Sequence, residues 1–569
     1  MPGFGQGQGP SFCALAKSLS LSDARTLDRR WGGTPNSQHS SYIDRGSRCA
    51  AAWNRREGGI LKRAPGVSLA VFEVTDTDLA GRIGRLSVGG RKIETPAFLP
   101  VVHPLKQQVP VSVISGMGFG AVITNAYITM ARHPEGVDIH SLIGFDGVIM
   151  TDSGGYQVLE YGSVKAEPVQ MAEYQAKIGS DIAVILDEPT GYPASRRHAE
   201  STVENTLRAA RDSLPVISKK PPLWAGPVQG GTHQDLVRRS ARSIAAMPFD
   251  LFAIGSPVEL MNGYRFREVS SLVSAAKGAL PPDRPVHLFG AGHPFMIPLA
   301  VALGCDMFDS ASYILFAKEG RYMTSEGVRH LADMQELPCG CRACSSTDAP
   351  ALKEMPPSER TVKLAVHNLS VMRDELVTTR EALREGRLWD HLTYRLRSHP
   401  SLTGSVPESM LELMEQGTGI DKPRALFLYD EADLAGPEVR RHRERVMARH
   451  SKWHERLRLV VPGDGWDGAF MMAQSLVREA DKDGLDVAFF HPFFSVVPAA
   501  LVPVYPLSQN GFPAVVGRGV LRDSVSFLSS FVKKQGYSGV QVVCREGGEA
   551  AARLILRSLA ARRISVSRA

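Results

Sequence analysis

Long apolar runs are missing from this sequence of 569 residues. No stretch reaches the roughly 18 consecutive apolar residues that a membrane-spanning helix needs, so no such helix is predicted. The N-terminal residues also lack the continuous apolar core of a secretory signal. These two absences lead us to expect a cytoplasmic protein.

Cysteine is scarce, and its seven occurrences are unevenly spread along the chain. Three of them, Cys339, Cys341 and Cys344, lie almost side by side. An odd and clustered set of cysteines is a poor basis for a framework of disulfides. The pattern favours a metal site in a reducing compartment instead.

Charge of one sign is only mildly in excess, with a formal net charge of +7 and a pI near 9.0. This balance permits an anionic partner such as a nucleic acid but does not require one. Hydrophobic residues make up 43% of the chain and charged residues 22%, as in ordinary globular proteins. At about 150 residues per domain, the length predicts two to four domains.

Residues 1–66 show little hydrophobic periodicity and are rich in Gly, Ser and Arg, as in GFGQGQGPS and WGGTPNSQHSS. We interpret this segment as a disordered extension or a misassigned start. RNA contact through its arginines and an organelle-targeting peptide stay open as alternatives.

Eight short apolar runs follow from Val67 onwards, and a helix-like or loop segment comes after each. The runs are TPAFLPVV (95–102), GAVITNA (120–126), GVIMTD (147–152), DIAVILD (181–187), LWAGPVQ (223–229), FDLFAIG (249–255), PVHLFG (285–290) and CDMFD (305–309). Such alternation indicates βαβ units and a parallel sheet. A count of eight predicts an α/β fold, a (β/α)8 TIM barrel, which we place at residues 67–397.

Five of the residues that end these runs are candidates for a functional site. The five are Asp152, Asp187, Gln229, Gly255 and Asp309. In a TIM barrel the carboxyl ends of all strands meet at one mouth, where active sites lie. A single aspartate at a strand end is more often the cap of the next helix, and this alternative stays open for Asp309. Three carboxylates and an amide at one mouth favour a catalytic site.

A candidate metal site follows the last run, in the segment LPCGCRACSS. Cys339, Cys341 and Cys344 form C-x-C-x2-C, and His367 lies on the next predicted helix. Three thiolates and one imidazole are a ligand set that structural Zn²⁺ prefers, so we predict one zinc ion in a subdomain at about 337–370. His330 competes with His367 for the fourth position, and three free thiols beside an unrelated core histidine are the alternative.

The remainder of the chain predicts a second, smaller α/β domain. A stretch rich in Ser, Pro and Gly, residues 398–423, has the composition of a linker. Residues 424–569 contain four strand-like runs and two predicted helices but no visible catalytic set. The first of these helices, residues 437–450, carries Arg440, Arg441, Arg443, Arg445 and Arg449. Its charge indicates either a solvated face or, in an enzyme that acts on a nucleic acid, a surface that contacts phosphates, so we assign this domain an accessory role.

Several motifs together resemble the tRNA-guanine transglycosylase family over about residues 67–560. They are MTDSGGYQV, ILDEPTGYP, PVQGGTHQDL, FAIGSPVELMNGYRF, HLFGAGHP, GCDMFDSASYILFAKEGRYMT and C-x-C-x2-C with HNL. The likeness is greater to the archaeal, archaeosine-forming branch than to the bacterial branch. Bacterial members carry a GGLAVGE-like loop in place of GSPVELMNGYRF, and a cysteine in place of Pro189 in DEPT.

The resemblance implies exchange of a guanine base in tRNA through cleavage of its N-glycosidic bond. By family match, Asp309 is the nucleophile that forms a covalent intermediate at C1′, and Asp152 is the second catalytic aspartate. Asp187 would accept hydrogen bonds from the guanine ring. Gln229 and the backbone of Gly255 and Ser256 would bind its carbonyl edge, and Tyr156 would stack on the base.

For the archaeal branch, the resemblance implies that 7-cyano-7-deazaguanine (preQ0) replaces the guanine at position fifteen of the tRNA D-loop, a step in archaeosine biosynthesis. Archaeal members often end in an RNA-binding PUA domain, for which we see no obvious room after VYPLSQ (504–509). We therefore expect a separate PUA-domain protein as a partner, and we also expect a homodimer. The alternatives are a bacterial-type enzyme that acts on the anticodon wobble guanine and a relative that inserts 7-deazaguanine into DNA.

Overall fold

The structure is a computed structural model that describes residues 72–155, 167–463 and 466–568. The predicted N-terminal extension, residues 1–66, lies outside this part of the chain. None of the helices in the described ranges is long and apolar enough to cross a lipid bilayer.

A three-stranded antiparallel sheet begins the described chain, with β1 (Phe72–Asp78), β2 (Gly81–Val88) and β3 (Arg91–Thr95) in sequence order. Arg91 at its edge bonds to Asp146 O, just before one strand of the barrel, and to Asp181, just before the next. The apolar side chains of Leu86 and Ile93 pack with the residues inside the barrel. This sheet therefore covers the amino-terminal end of the barrel.

Eight parallel strands form the central sheet. They are β4 (Ala97–Pro100), β5 (Ala121–Asn125), β6 (Val148–Asp152), β7 (Ile182–Val184), β8 (Leu223–Val228), β9 (Leu251–Ile254), β10 (Val286–Leu288) and β11 (Met307–Ser310). Their order is β4-β11-β10-β9-β8-β7-β6-β5, and a parallel bridge between Val101 and Ile123 joins the two ends. The predicted TIM barrel is confirmed, and each of the eight apolar runs coincides with one strand, with β11 extending one residue past its run.

At least one helix follows each of these strands, and the helices surround the barrel. They are α1 (Val111–Gly116), α2 (Ala126–Arg132), α3 (Ile139–Ile143), α4 (Pro168–Lys177), α5 (Arg196–Asp212), α6 (Leu214–Ile217), α7 (Gln234–Ala245), α8 (Val258–Asn262), α9 (Phe266–Lys277), α10 (Met296–Ala302) and α11 (Ser312–Lys318).

Alternation along the strands divides the apolar side chains between two cores. Leu99, Met150 and Met307 fill the interior of the barrel. Phe98 and Phe308, one position away in sequence, pack outwards against the helices. A polar residue at an inward position is therefore held inside the barrel.

Beyond the barrel, an antiparallel hairpin precedes four more helices. The hairpin is β12 (Arg321–Thr324) and β13 (Gly327–His330), and the helices are α12 (Ala349–Glu354), α13 (Pro357–Arg384), α14 (Leu388–Arg395) and α15 (Glu408–Gly417). Helix α15 lies in the stretch predicted as a linker, where Met410 and Met414 are buried in the outer core of the barrel. Their i, i+4 spacing places both on one helical face.

The C-terminal region forms a five-stranded sheet with the order β17-β16-β15-β19-β20. The strands of this region are β14 (Leu426–Phe427), β15 (Arg456–Val461), β16 (Leu485–His491), β17 (Ser495–Pro498), β18 (Asn510–Gly511), β19 (Gly539–Cys544) and β20 (Ser565–Arg568). The helices are α16 (Pro437–Arg449), α17 (Asp467–Lys482), α18 (Arg518–Gln535) and α19 (Glu549–Ala561). All neighbours in the sheet are parallel except β16 and β17, so the predicted α/β character is confirmed.

Candidate active site

The three aspartates predicted at the strand ends come together at the carboxyl-terminal mouth of the barrel. Asp152 is the last residue of β6, Asp309 lies in β11, and Asp187 follows β7. Asp152 is close enough to both other carboxylates for their charges to act on it. Asp309 is 8% exposed, while Asp152 and Asp187 are half-buried. Their chemical roles remain predictions.

Burial changes the acidity of two of these carboxylates, Asp152 and Asp187. Burial, followed by the charges of Asp187 and Asp309, raises the pKa of Asp152 to about 7. Burial also raises the pKa of Asp187 to about 6, against the opposing effect of a hydrogen bond from Gln229. A carboxyl group with a pKa near 7 is present in both protonation states at neutral pH. It is therefore suited to take and return a proton.

Asp309 is held by donors from the neighbouring strand rather than by the helix that follows it. Its Oδ1 accepts the N–H of Gly290 at 3.1 Å and lies 2.8 Å from Nε2 of His287. The N-cap residue of α11 is Ala311, with no side-chain cap hydrogen bond, and the N–H of Ser312 donates to Ser310 Oγ rather than to Asp309. The alternative that Asp309 caps the next helix is therefore wrong.

Gln229 links Asp187 to the loop after β9. Its Nε2 donates to Asp187 Oδ2 at 2.6 Å, and its Oε1 accepts from Ser256 Oγ at 2.7 Å. Thr190 donates its backbone N–H to the same Oε1 at 3.1 Å. Because Oε1 is occupied in this way, Gln229 presents only its remaining Nε2 hydrogen to a ligand.

Gly255 is required where it stands, because the side chain of Gln229 passes directly over it. A Cβ at this position would lie 2.2 Å from Gln229 Nε2. The next residue, Ser256, adopts a left-handed backbone with φ of 65°. Gly255 and Ser256 thus join the mouth as predicted in placement, whereas Tyr156 lies outside the described residues.

His287 and Thr190 are two residues of this site that the sequence analysis did not single out. Thr190 lies in the DEPT motif and is 2% exposed. His287 lies inside an apolar run, where its polar side chain at an inward position was the available signal. Both bond to the predicted site residues rather than standing at strand ends.

The predicted metal ligands form a compact cluster. One ligand atom from each of Cys339, Cys341, Cys344 and His367 lies within 4.8 Å of every other. His367 Nδ1 is 3.3 Å from the Cys344 sulfur, while its Nε2 lies 2.8 Å from the carbonyl oxygen of Met323. An imidazole anchored through its second nitrogen is typical of metal ligands. The set fits a tetrahedral metal site, and the competing His330 lies on β13 outside it.

Comparison with known proteins identifies related sequences. The family described as queuine tRNA-ribosyltransferase matches residues 76–401. The tRNA-guanine(15) transglycosylase of Methanopyrus kandleri is 45% identical over 448 residues, which cover 76% of this chain and 94% of the relative. The protein of that name from Aeropyrum pernix is 41% identical, with coverages of 82% and 93%. The one from Sulfolobus acidocaldarius is 36% identical, with coverages of 83% and 95%.

Proposed function

Because this chain belongs to the queuine tRNA-ribosyltransferase family, we propose that it exchanges the guanine at position 15 of tRNA for 7-cyano-7-deazaguanine. The observation that carries the proposal is the set of three aspartates at one barrel mouth, with Asp152 near both others. The names of the relatives support the choice of tRNA and of position 15. The reaction would be a step towards archaeosine.

In the first half of the reaction, an oxygen of Asp309 attacks C1′ of the ribose. A carboxylate–C1′ bond forms while the bond from C1′ to the base nitrogen breaks, and the electron pair of that bond leaves with guanine. Protonated Asp152, with its pKa near 7, supplies the proton that the leaving base takes up. The covalent intermediate holds the sugar while one base leaves and another enters.

In the second half, the roles reverse. The carboxylate of Asp152 takes the ring N–H proton of the incoming 7-cyano-7-deazaguanine. The freed nitrogen attacks C1′, and Asp309 leaves as a carboxylate. Both aspartates return to their starting state, so no water and no external cofactor enter the balance.

Recognition of the base falls mainly to residues that follow β7, β8 and β9. Asp187 is suited to accept the ring N–H and the exocyclic amine of guanine, a pattern that the incoming base shares. The free hydrogen on Gln229 Nε2 and the backbone of Gly255 and Ser256 would bind the carbonyl edge. Tyr156 would stack on the ring.

A zinc ion bound by Cys339, Cys341, Cys344 and His367 would stabilise the fold by joining the loop after β13 to α13. We assign it no step in the reaction. A homodimer and a separate PUA-domain protein remain our predictions for the assembly, and light scattering of the purified chain, alone and with tRNA, tests the first.

Mass spectrometry of tRNA nucleosides after incubation with 7-cyano-7-deazaguanine tests the proposed function. Fragment mapping should place the new base at position 15 and nowhere else, and Asp309→Asn should abolish both exchange and any denaturation-resistant enzyme–tRNA adduct. Modification of the wobble guanine, or of duplex DNA offered in parallel, would favour the corresponding alternative. An adduct that persists in Asp309→Asn would assign the nucleophile to another residue.

A further inference from the structure

We propose that His287 is a positioning residue for the nucleophile, because its imidazole fixes the carboxylate of Asp309 in the orientation needed for attack. This inference rests on the proposed function. It concerns a residue that contacts Asp309 but stands below it in the barrel, away from the strand ends where the other site residues lie.

His287 points into the barrel. It is the middle residue of β10, and its neighbours Val286 and Leu288 pack outwards in the core shared with the helices. Alternation therefore turns the imidazole inwards, and the ring is 0% exposed. In the strand register, His287 is paired with Met307 of β11 on one side and with Ala253 of β9 on the other. Asp309 is two residues beyond Met307 on the same inward face.

The imidazole has one polar contact among the described residues. Its Nε2 lies 2.8 Å from Asp309 Oδ1, while Nδ1 is buried without a hydrogen-bond partner in the described part of the chain. A hydrogen on Nδ1 would be a buried donor without an acceptor, and burying an unsatisfied donor lowers the stability of the folded protein. We therefore place the ring hydrogen on Nε2, from which it is donated to Asp309.

Two donors thus hold the same oxygen of Asp309. His287 donates from β10, and the N–H of Gly290 donates from the turn that follows it. Within the described ranges no hydrogen bond is made to Oδ2 of Asp309. The carboxylate is therefore anchored through one oxygen, and the other is left to face the sugar.

Reach is what makes histidine suitable at this position. The donor atom must extend from position 287 of β10 to the carboxylate of Asp309, which lies closer to the carboxyl-terminal mouth on the adjacent strand β11. Nε2 is the atom of the imidazole ring that reaches furthest from the backbone. The amide nitrogen of glutamine has a similar reach, whereas that of asparagine is too short. The alternative is that His287 only packs in the barrel interior. It predicts the same kcat for His287→Gln and His287→Asn.

The experiment compares His287→Gln, His287→Asn and His287→Leu by exchange of radiolabelled guanine into tRNA, with kcat and KM measured separately. Small misplacement of a reacting group costs about 10²-fold in rate. We expect His287→Leu and His287→Asn to lower kcat by about that factor, with KM for tRNA within about twofold of the wild type. His287→Gln should recover most of the loss.

A matched control is His293→Leu, because His293 is also buried, at 6% exposure, and its Nδ1 also lacks a partner in the described chain. It makes no bond to Asp309, so its loss should lower the melting temperature while kcat stays near the wild-type value. Equal losses of kcat in His293→Leu and His287→Leu would overturn the proposal.

The glutamine and asparagine variants keep the test decisive even where His287→Leu does not fold. Equal kcat values for these two folded variants would return His287 to a packing role. A wild-type protein that exchanges no guanine in any tRNA would instead contradict the proposed function. The two failures are therefore distinguishable in one set of assays.

Discussion

At the scale of single residues, the acidity of Asp152 depends on its surroundings in the mouth of the barrel. Burial raises the pKa of this carboxyl group, and the charges of Asp187 and Asp309 raise it further. A carboxyl group whose pKa is higher in the folded protein than in the unfolded chain makes stability depend on pH.

Replacement of Asp152 by asparagine should stabilise the free protein at neutral and alkaline pH. Its folded pKa is about 7, above the usual 3.8, so ionisation favours the unfolded chain. This penalty is absent below pH 4, where both states are protonated, and grows as pH rises towards 7. Asparagine cannot ionise and escapes the penalty. At about 1.4 kcal/mol per pKa unit, Asp152→Asn should gain about 3 kcal/mol on wild type between pH 5 and pH 8.

Thermal unfolding of Asp152→Asn and wild type at both pH values, without tRNA, measures this gain. Asp309→Asn is a useful comparison because it removes one of the charges acting on Asp152 while leaving the titrating group in place. A difference in melting temperature that is constant with pH, or larger at pH 5, would contradict the assignment of the raised pKa to Asp152.

At the scale of elements, the cysteine cluster connects the loop after β13 to the long helix α13. Cys341→Ser should lose the bound metal and lower the melting temperature, because metal binding is coupled to folding. His330→Ala should keep the full metal content, since His330 is not part of the cluster. Metal analysis by mass spectrometry, with zinc expected at one ion per chain, checks both. Unchanged metal content in Cys341→Ser would refute the ligand assignment.

The charge pattern of helix α16 did not predict which groups its arginines contact. Neither the solvated face nor the phosphate contact describes Arg441, whose side chain is 12% exposed. It donates to the carbonyl oxygens of Glu415, Thr418 at 2.8 Å and Gly419 at 3.0 Å, at the C-terminal end of α15. Arg443 likewise donates to the carbonyl of Phe493. Both arginines therefore hold the protein together, as cations at helix ends and loop carbonyls often do.

Arg441→Gln should consequently lower stability by about 1–3 kcal/mol, because the carbonyl oxygens at the end of α15, including that of the buried Thr418, lose a charged donor. The salt dependence of tRNA binding should stay unchanged, since the guanidinium is already engaged within the protein. Lys534→Gln, which removes one positive charge at an exposed position of α18, is the control. Melting curves and binding measured at several salt concentrations separate the two effects. A shallower salt slope in Arg441→Gln would restore the phosphate-contact interpretation.

At the scale of the whole molecule, the eight apolar runs were enough to predict the barrel and to place Asp152 and Asp309 at its mouth, because the ends of all strands converge there. His287 could not be predicted in this way, since its partner Asp309 is on another strand, in a register that no local pattern encodes. The stretch 398–423 was not recognisable as structured, because its Ser, Pro and Gly content is typical of linkers. Its helix α15 becomes stable through burial of Met410 and Met414 against the barrel, which is a tertiary effect. Lys422 contacts Asp78, which is far away in the sequence, and a sequence pattern does not predict such a contact.

Lys422 connects three parts of the described chain through a buried charge cluster. Its Nζ lies 3.0 Å from Asp78 at the end of β1 and 2.5 Å from Glu438 in α16. The side chains of Lys422, Asp78 and Glu438 are 6%, 1% and 4% exposed. Asp78 Oδ2 also accepts the N–H of Leu388 at the start of α14. The β1–β3 sheet, the stretch after α15 and the C-terminal region thus meet at one lysine.

Lys422→Met should therefore destabilise the whole molecule rather than one part of it. Two buried carboxylates lose their shared cation, and breaking such a cluster costs about 3–5 kcal/mol. Burial already raises the pKa of Asp78, so protonation below neutral pH should relieve part of the repulsion and the deficit should be smaller at pH 5 than at pH 8. Lys534→Met, at an exposed position of α18, is the matched control and should melt like wild type. Calorimetry at pH 5 and pH 8 measures the stability of both variants. A Lys422→Met protein as stable as Lys534→Met would show that the charge cluster does not stabilise the contact between the β1–β3 sheet and the C-terminal region.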